Sequence, residues 1–227
     1  DIISPYLYKD VDGEFMGIDV EIATEALHRM GYEPEFKLIV WENKNKLLED
    51  GEVDCIWGCF SMNGREDKYL WAGPYLYSRQ MVAVRMDSEI QKLKDLTGKM
   101  IAVQETSKAE EYFLRSDFEG IPDVSLVYCF SNMDEVFAAL RKNYVEAICG
   151  HESALISFIN TAPDEYRLLE ESFLYSALGV AFDIQYDEEF VEELVKTLVD
   201  TMNDGTTAAI VGKYGLDAEK SLGRGND

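Results

Sequence analysis

Helical and strand-like stretches alternate along nearly all 227 residues, and this alternation limits the possible folds more than any other feature. Val20, Ala23, Leu27 and Met30 recur at helical spacing, with Asp19 as the predicted cap and Gly31 as the stop. Residues 36–40 then read as a strand, 43–50 as a short helix and 53–57 as a buried strand. Gly73-Pro74 breaks the chain before an extended run, 77–85. Strands at 100–103, 125–129 and 145–149 alternate with helices at 107–114, 133–142 and 153–160. Residues 177–182 follow as a strand. Asp187 then caps a helix with Phe190, Leu194, Leu198 and Met202 four apart, and a last helix runs to about Tyr214. Such alternation argues for an α/β fold with a mainly parallel sheet. Extended crossings near 82–84 and 180–182 would join two lobes as a hinge. The first lobe is then residues 1–83 plus 181–227, and the second is 84–180.

The charge balance narrows the function. Asp and Glu number 44 against 21 Lys and Arg, a formal net charge of −23, which repels phosphate backbones and anionic lipid surfaces. Nucleic acid is therefore not an expected partner. Hydrophobic residues make up 47% and aromatics 12%, a globular composition and not that of a disordered acidic tail. Apolar runs stop far short of the roughly 20 residues that a membrane-crossing helix needs, and no signal peptide is visible. Cys55, Cys59, Cys129 and Cys149 show no CxxC pair, and with only His28 and His151 no metal site is expected. If Cys55 and Cys59 share a strand, they stand about 13 Å apart, too far for a disulfide. All four read as small buried hydrophobes.

Four stretches together resemble one family, the bacterial extracellular solute-binding proteins of the polar amino-acid type. Residues 13–23, GEFMGIDVEIA, are similar to the family's G-x-x-x-G-[FY]-D-[VI]-D-[LI]-A. Trp41 followed by LLEDGEVD at 47–54 resembles its aromatic–L–G–D segment. Arg65 with Pro74-Tyr75 resembles the Arg that precedes F-S-x-P-Y. Residues 203–215 resemble the closing n-G-T-x-x-x-I-x-x-K-[WY]-G, and 93–104 fit the entry to the second lobe. The resemblance implies a two-lobe type II periplasmic-binding-protein (Venus-flytrap) fold that closes on a small solute held in the interlobe cleft. It implies no cofactor, an extracellular or periplasmic location, and membrane tethering in the full-length protein.

The same resemblance assigns ligand contacts. Arg65 matches the residue that holds the ligand α-carboxylate, a role suited to its rigid fork of donors; a surface ion pair with Glu66 or Asp67 is the plainer alternative. Tyr6 and Trp41 match the two rings that sandwich the ligand, although core packing is the commoner fate of an aromatic. Gly58, Ser61 and Asn63 lie in the segment that adds polar contacts, where Met62 stands in place of the family's Thr. In the second lobe Gln104, Thr106 and Ser107 match the carboxylate-binding turn, with simple helix capping as the alternative for the last two. This turn departs from the pattern, since Glu105 occupies the expected glycine position. His151 stands where the family has the Asp that pairs with the ligand ammonium. A neutral imidazole accepts one hydrogen bond but supplies no opposite charge. The ligand is then an amino acid whose ammonium is read by another group, with Glu14 and Glu152 as candidates, or a carboxylate without an α-amino group.

Pro5-Tyr6 matches the turn after the family's first strand, so that strand is expected before Asp1 and missing from this sequence. The partner is expected to be a membrane transporter of the ABC type, or the membrane-spanning part of a receptor such as a histidine kinase or diguanylate cyclase. The tail, 221–227, is flexible in composition and fits a linker or an end. The rival from another class is a dehydratase-like enzyme of the same fold using His151 or Glu152 as acid or base.

Overall fold

A computed structural model of the protein describes residues 2–115, 120 and 122–223. In chain order the elements are β1 (Tyr8–Lys9), β2 (Phe15–Met16), α1 (Ile18–Arg29), α2 (Lys44–Glu49), β3 (Cys55–Ile56), β4 (Leu70–Arg85), β5 (Met100–Gln104), α3 (Lys108–Leu114), β6 (Leu126–Phe130), α4 (Met133–Arg141), β7 (Ala147–His151), α5 (Glu152–Ile159), β8 (Tyr166–Leu168), β9 (Leu174–Phe182), α6 (Glu188–Asn203), α7 (Thr206–Lys213) and α8 (Ala218–Ser221). Single 3-10 turns at Trp41–Asn43 and Leu93–Leu96 precede α2 and β5. The chain divides into two compact units. One comprises Asp1–Ile39, Asn43–Ser78 and Ser176–Asp227; the other comprises Val40–Glu42 and Arg79–Tyr175. The strands β4 and β9 carry the chain from one unit to the other.

In the first unit α1 packs on α6 and α7. Ile18, Ile22 and Ala26 of α1 meet Val191, Leu194 and Leu198 of α6, together with Tyr75, Leu76, Leu178, Val180 and Phe182 from the strands. Each such aliphatic side chain removed from water contributes about 1.5–3 kcal/mol. Polar ties fasten the same helices. Arg29 donates to Asp204 at 2.6 Å and to Thr206 at 3.0 Å, while Lys213 and Tyr214 both donate to Glu21. Asp187 caps α6 by accepting from the backbone of Glu189 and Phe190, as expected.

Asp19 is not the cap of α1. Gly17 is, at φ +128°, and a Cβ there would stand 2.2 Å from the Tyr6 carbonyl oxygen. The close approach allows Ile18 and Asp19 to donate to the carbonyls of Pro5 and Tyr6, so the turn replaces a side-chain cap. Gly31, at φ +85°, follows the C-cap as expected. Residues 36–40 form no strand: the alternation is there, but among the described residues no ladder pairs with them, and Leu38 and Val40 are exposed. Gly73-Pro74 does not break the chain; β4 runs through it. Gly73 at φ +146° lets the backbone bend there, and a Cβ on it would lie 3.0 Å from the Cα of Gly179.

In the second unit β5 lies between β6 and β7 and is parallel to both. The second half of β4 pairs antiparallel with β7, from Gln80↔His151 to Val84↔Ala147, and with β8. In the first unit β3 is antiparallel to β9. The expectation of a mainly parallel sheet is therefore corrected to a mixed one, in which β5 is parallel to β6 and β7 while β3–β9, β4–β7 and β4–β8 are antiparallel. Val82, Val84, Ile101, Val103, Phe113, Ala147 and Leu169 form the core here. The hairpin β1–β2, the short β8 and the Asp217-capped α8 were not foreseen, and α8 gives order to the start of the tail; residues 224–227 lie outside the described residues.

Candidate ligand-binding site

Arg65 hangs from the segment 57–65 between β3 and β4, and the first unit holds that segment at several points. Met62 donates to the Ala177 carbonyl and Gly179 donates to the Phe60 carbonyl, which ties the segment to β9. Asn63 Oδ1 accepts from the Ala177 amide at 2.8 Å and from Ser61 Oγ at 3.0 Å. Both polar side chains offered for a ligand thus hold their own loop. Gly58 sits in a bend with open space where a Cβ would be. Arg65 donates to the Ser61 carbonyl at 3.2 Å, and its guanidinium carbon lies 5.2 Å from the Phe60 ring centroid.

A buried polar cluster supports this loop from below. Asp19, 1% exposed, accepts from the Cys59 amide at 2.7 Å and from the Tyr75 hydroxyl at 2.8 Å. Cys59 adopts φ +51°, a left-handed conformation unusual for a side chain with a Cβ, and the Asp19 carboxylate fixes its amide. Burial pushes the Asp19 carboxyl up to about 7 against the opposing effect of its two donors. Tyr6 belongs to the same buried group: it is 2% exposed and its side chain bonds the Cys59 thiol. Burial raises that thiol well above its ordinary value, and all four cysteines are free.

In the second unit Thr106 adopts φ +53° and its amide donates to the Glu110 carboxylate at 2.7 Å. Ser107 is the cap of α3, its hydroxyl accepting from the Glu110 amide. The turn therefore places the Glu110 carboxylate on an amide that the resemblance assigned to a ligand. Gln104 is buried, with its amide 3.5 Å from the Ser131 carbonyl. His151 ends β7 and starts α5, and register places it opposite Gln80, whose amide nitrogen lies 3.1 and 3.0 Å from the two ring nitrogens. Glu152 is gripped by Arg79 in a two-point ion pair, one contact of 2.8 Å, so its charge is already matched. Glu14 lies exposed in the turn between β1 and β2. Trp41 sits in the 3-10 turn before α2, half-buried, and groups with the second unit. No cluster of metal-ligating side chains occurs among the described residues.

The residues that sequence reasoning passed over are Asp19 as a loop anchor, Arg79 as the partner of Glu152, and Lys44, buried on α2. Lys44 alone left a local trace, since it falls four residues before buried Leu48 where helical spacing calls for an apolar side chain.

Residues 3–217 match the bacterial extracellular solute-binding proteins, family 3, and the chain belongs to that family. Its fold is that of a type II periplasmic binding protein. Among curated relatives, the L-cystine-binding protein TcyA of Bacillus subtilis is 25% identical over 70% of this chain, and the glutamate-binding protein GluB of Corynebacterium efficiens is 25% identical over 71%. In each case the match spans 57% of the relative's own length. A solved structure of Tv2483 bound to L-arginine superposes with a TM-score of 0.85 at 26% identity, covering 94% of this chain and 87% of that one. An ABC uptake transporter substrate-binding protein from Streptococcus pneumoniae with bound histidine gives 0.86 at 20% identity, over 95% and 90%.

Proposed function

We propose that this protein captures an amino acid outside the cytoplasmic membrane and delivers it to an ABC-type membrane transporter. The observation that carries the reading is Arg65: a guanidinium held by the Ser61 carbonyl and the Phe60 ring, on a loop fixed from below by Asp19. A fork fixed in advance loses little entropy on meeting a carboxylate, which favours bidentate capture. Relatives named as binding proteins for L-cystine, glutamate and arginine support an amino acid as the solute. Trp41 would line the ligand, with Gly58, Gln104, Thr106 and Ser107 as further contacts, while Tyr6, buried beneath the loop, would act by supporting it. Ser61 and Asn63 would act by shaping the loop.

The ammonium contact differs from the family pattern. His151 presents imidazole nitrogens beside Gln80, and Glu152 is matched by Arg79, so neither brings an unbalanced negative charge. That replacement favours a second reading, in which the domain reports solute to a receptor's own membrane-spanning part.

A thermal-shift screen after exhaustive dialysis tests the proposal, using amino acids and matching acids without the amino group. A ligand at 100 times its dissociation constant adds about 2.7 kcal/mol. Stabilisation by amino acids supports capture of that class. Stabilisation by des-amino acids alone replaces it with a carboxylate ligand, and no shift from either set refutes both.

A further inference from the structure

The loop that carries Arg65 is held by a buried acid from another element. The Asp19 carboxylate uses both oxygens: Oδ2 accepts from the Cys59 amide at 2.7 Å and Oδ1 from the Tyr75 hydroxyl at 2.8 Å. Cys59 is thereby held at φ +51°, which fixes where the next residue, Phe60, leaves the backbone. Phe60 is 1% exposed, and the Arg65 guanidinium carbon lies 5.2 Å from its ring centroid. A change at Asp19 therefore reaches Arg65 through two packed neighbours.

Both donors suit a carboxylate, and only one of them can adapt to a carboxylic acid. A proton on Oδ1 is met by Tyr75, whose hydroxyl can turn and accept, but an amide N–H has no such freedom. The Cys59 amide is then left on a neutral carbonyl oxygen, and a charge-assisted bond gives way to one about half as strong. The other groups around the carboxyl are uncharged near neutrality. Burial and the charge of Asp19 itself raise the Tyr75 phenol on β4 and the Cys59 thiol, and Tyr6 bonds that thiol. From β9 come the apolar Leu178, Val180 and Phe182. Where α6 and α7 meet α1, Asp204 is paired with Arg29 and Lys213 with Glu21.

We infer that Asp19 is a positioning residue whose negative charge, acting through the Cys59 amide and Phe60, sets Arg65 for capture, so that solute binds more tightly to the charged form of Asp19 than to the acid. The inference rests on the reading of Arg65 given above. Burial holds this carboxyl at about 7, so both forms are populated around neutral pH. The plainer alternative is a structural prop whose charge state leaves capture unchanged.

Calorimetric titration of the dialysed protein at pH 5.5 and 8.5 decides between them, using the common L-amino acids without histidine and cysteine, whose side chains titrate near this range. The best binder should be held about fivefold more tightly at pH 8.5. At pH 7 its binding should release about 0.4 proton, read from the dependence of the heat on the buffer. Asp19→Asn offers a neutral acceptor at every pH, so its affinity should stay flat near the pH 5.5 value of the unmutated protein. His151 also titrates in this interval, and any slope it causes survives in Asp19→Asn. The expected slope should persist in His151→Gln, which gives the same separation if Asp19→Asn fails to fold. Equal affinity at the two pH values, a slope that survives in Asp19→Asn, or one lost in His151→Gln overturns the inference and leaves Arg65 standing. Failure of every amino acid to bind overturns both readings.

Discussion

Replacing Asp19 by Asn should make the protein more stable at pH 8, although it removes a carboxylate that accepts two hydrogen bonds. In the folded chain this carboxyl is held at about 7, against 3.8 when exposed, and burial is the dominant cause. A carboxyl raised on folding binds its proton more tightly in the native state. Its contribution to stability is therefore complete below about pH 4 and is lost as the pH climbs through 7. Each unit of difference corresponds to about 1.4 kcal/mol, so this one group removes about 4 kcal/mol between pH 4 and pH 8. Asparagine has nearly the same shape and no charge to desolvate. Its carbonyl can still accept from the Cys59 amide, and its NH2 can donate to the Tyr75 hydroxyl, which reverses its role. Urea or thermal melts of the wild type and Asp19→Asn, recorded from pH 4.5 to 8.5, measure the effect. The stability difference should widen by about 1.4 kcal/mol per pH unit up to about 7 and then level off. A domain of this size melts about 2–4 °C higher per kcal/mol, so the gap should reach on the order of 10 °C. A difference that does not change with pH, or a variant less stable at pH 8, would refute the assignment of a charge-averse carboxyl under the loop.

Arg65→Ala should abolish ligand binding, by about 100-fold or more, while shifting the melting midpoint by no more than about 3 °C, because the side chain is half-buried and donates to a loop carbonyl; calorimetry beside a melting curve separates the two. Gly17→Ala should fail to give soluble folded protein, since its Cβ would overlap the Tyr6 carbonyl, whereas Gly31→Ala, with open space around it, should cost about 1 kcal/mol. Asp187→Ala removes a cap that serves two amides of α6 and should cost about 1 kcal/mol, read as a fall of about 2–4 °C.

What the sequence displayed depended on how local the cause was. The helix α6 was legible because Asp187 and the four-residue spacing from Phe190 act within one element. Residues 36–40 misled because alternation reports which side chains could face a core, not whether another strand offers its backbone. The sense of the sheet was hidden for the same reason: β4 meets β7 and β8 head to tail, and nothing in an apolar run encodes direction. Asp19 carries a residue type that favours capping, and only tertiary structure turns it toward Cys59 and Tyr75, which lie 40 and 56 residues further along the chain. Arg65 was singled out by the family resemblance, through its spacing to Pro74-Tyr75, and its place on the 57–65 loop is what the structure adds. The Arg79 clamp on Glu152 was not legible, because it joins residues 73 apart across the β4–β7 register.

The way the chain is shared between its units also sets an order of events when the protein is made. Apart from the short piece at 40–42, the second unit is one uninterrupted segment, 79–175, and all its strands have emerged before the last fifty residues exist. The first unit needs α6 and α7 beneath α1, and the ties from Arg29 to Asp204 and from Glu21 to Lys213 close loops of 175 and 192 residues. During synthesis from the amino end, the second unit can fold alone, while α1 waits with its apolar stripe uncovered until the carboxyl end arrives. The interval in which α1 is uncovered is the stage at which a holding chaperone would matter most to this molecule.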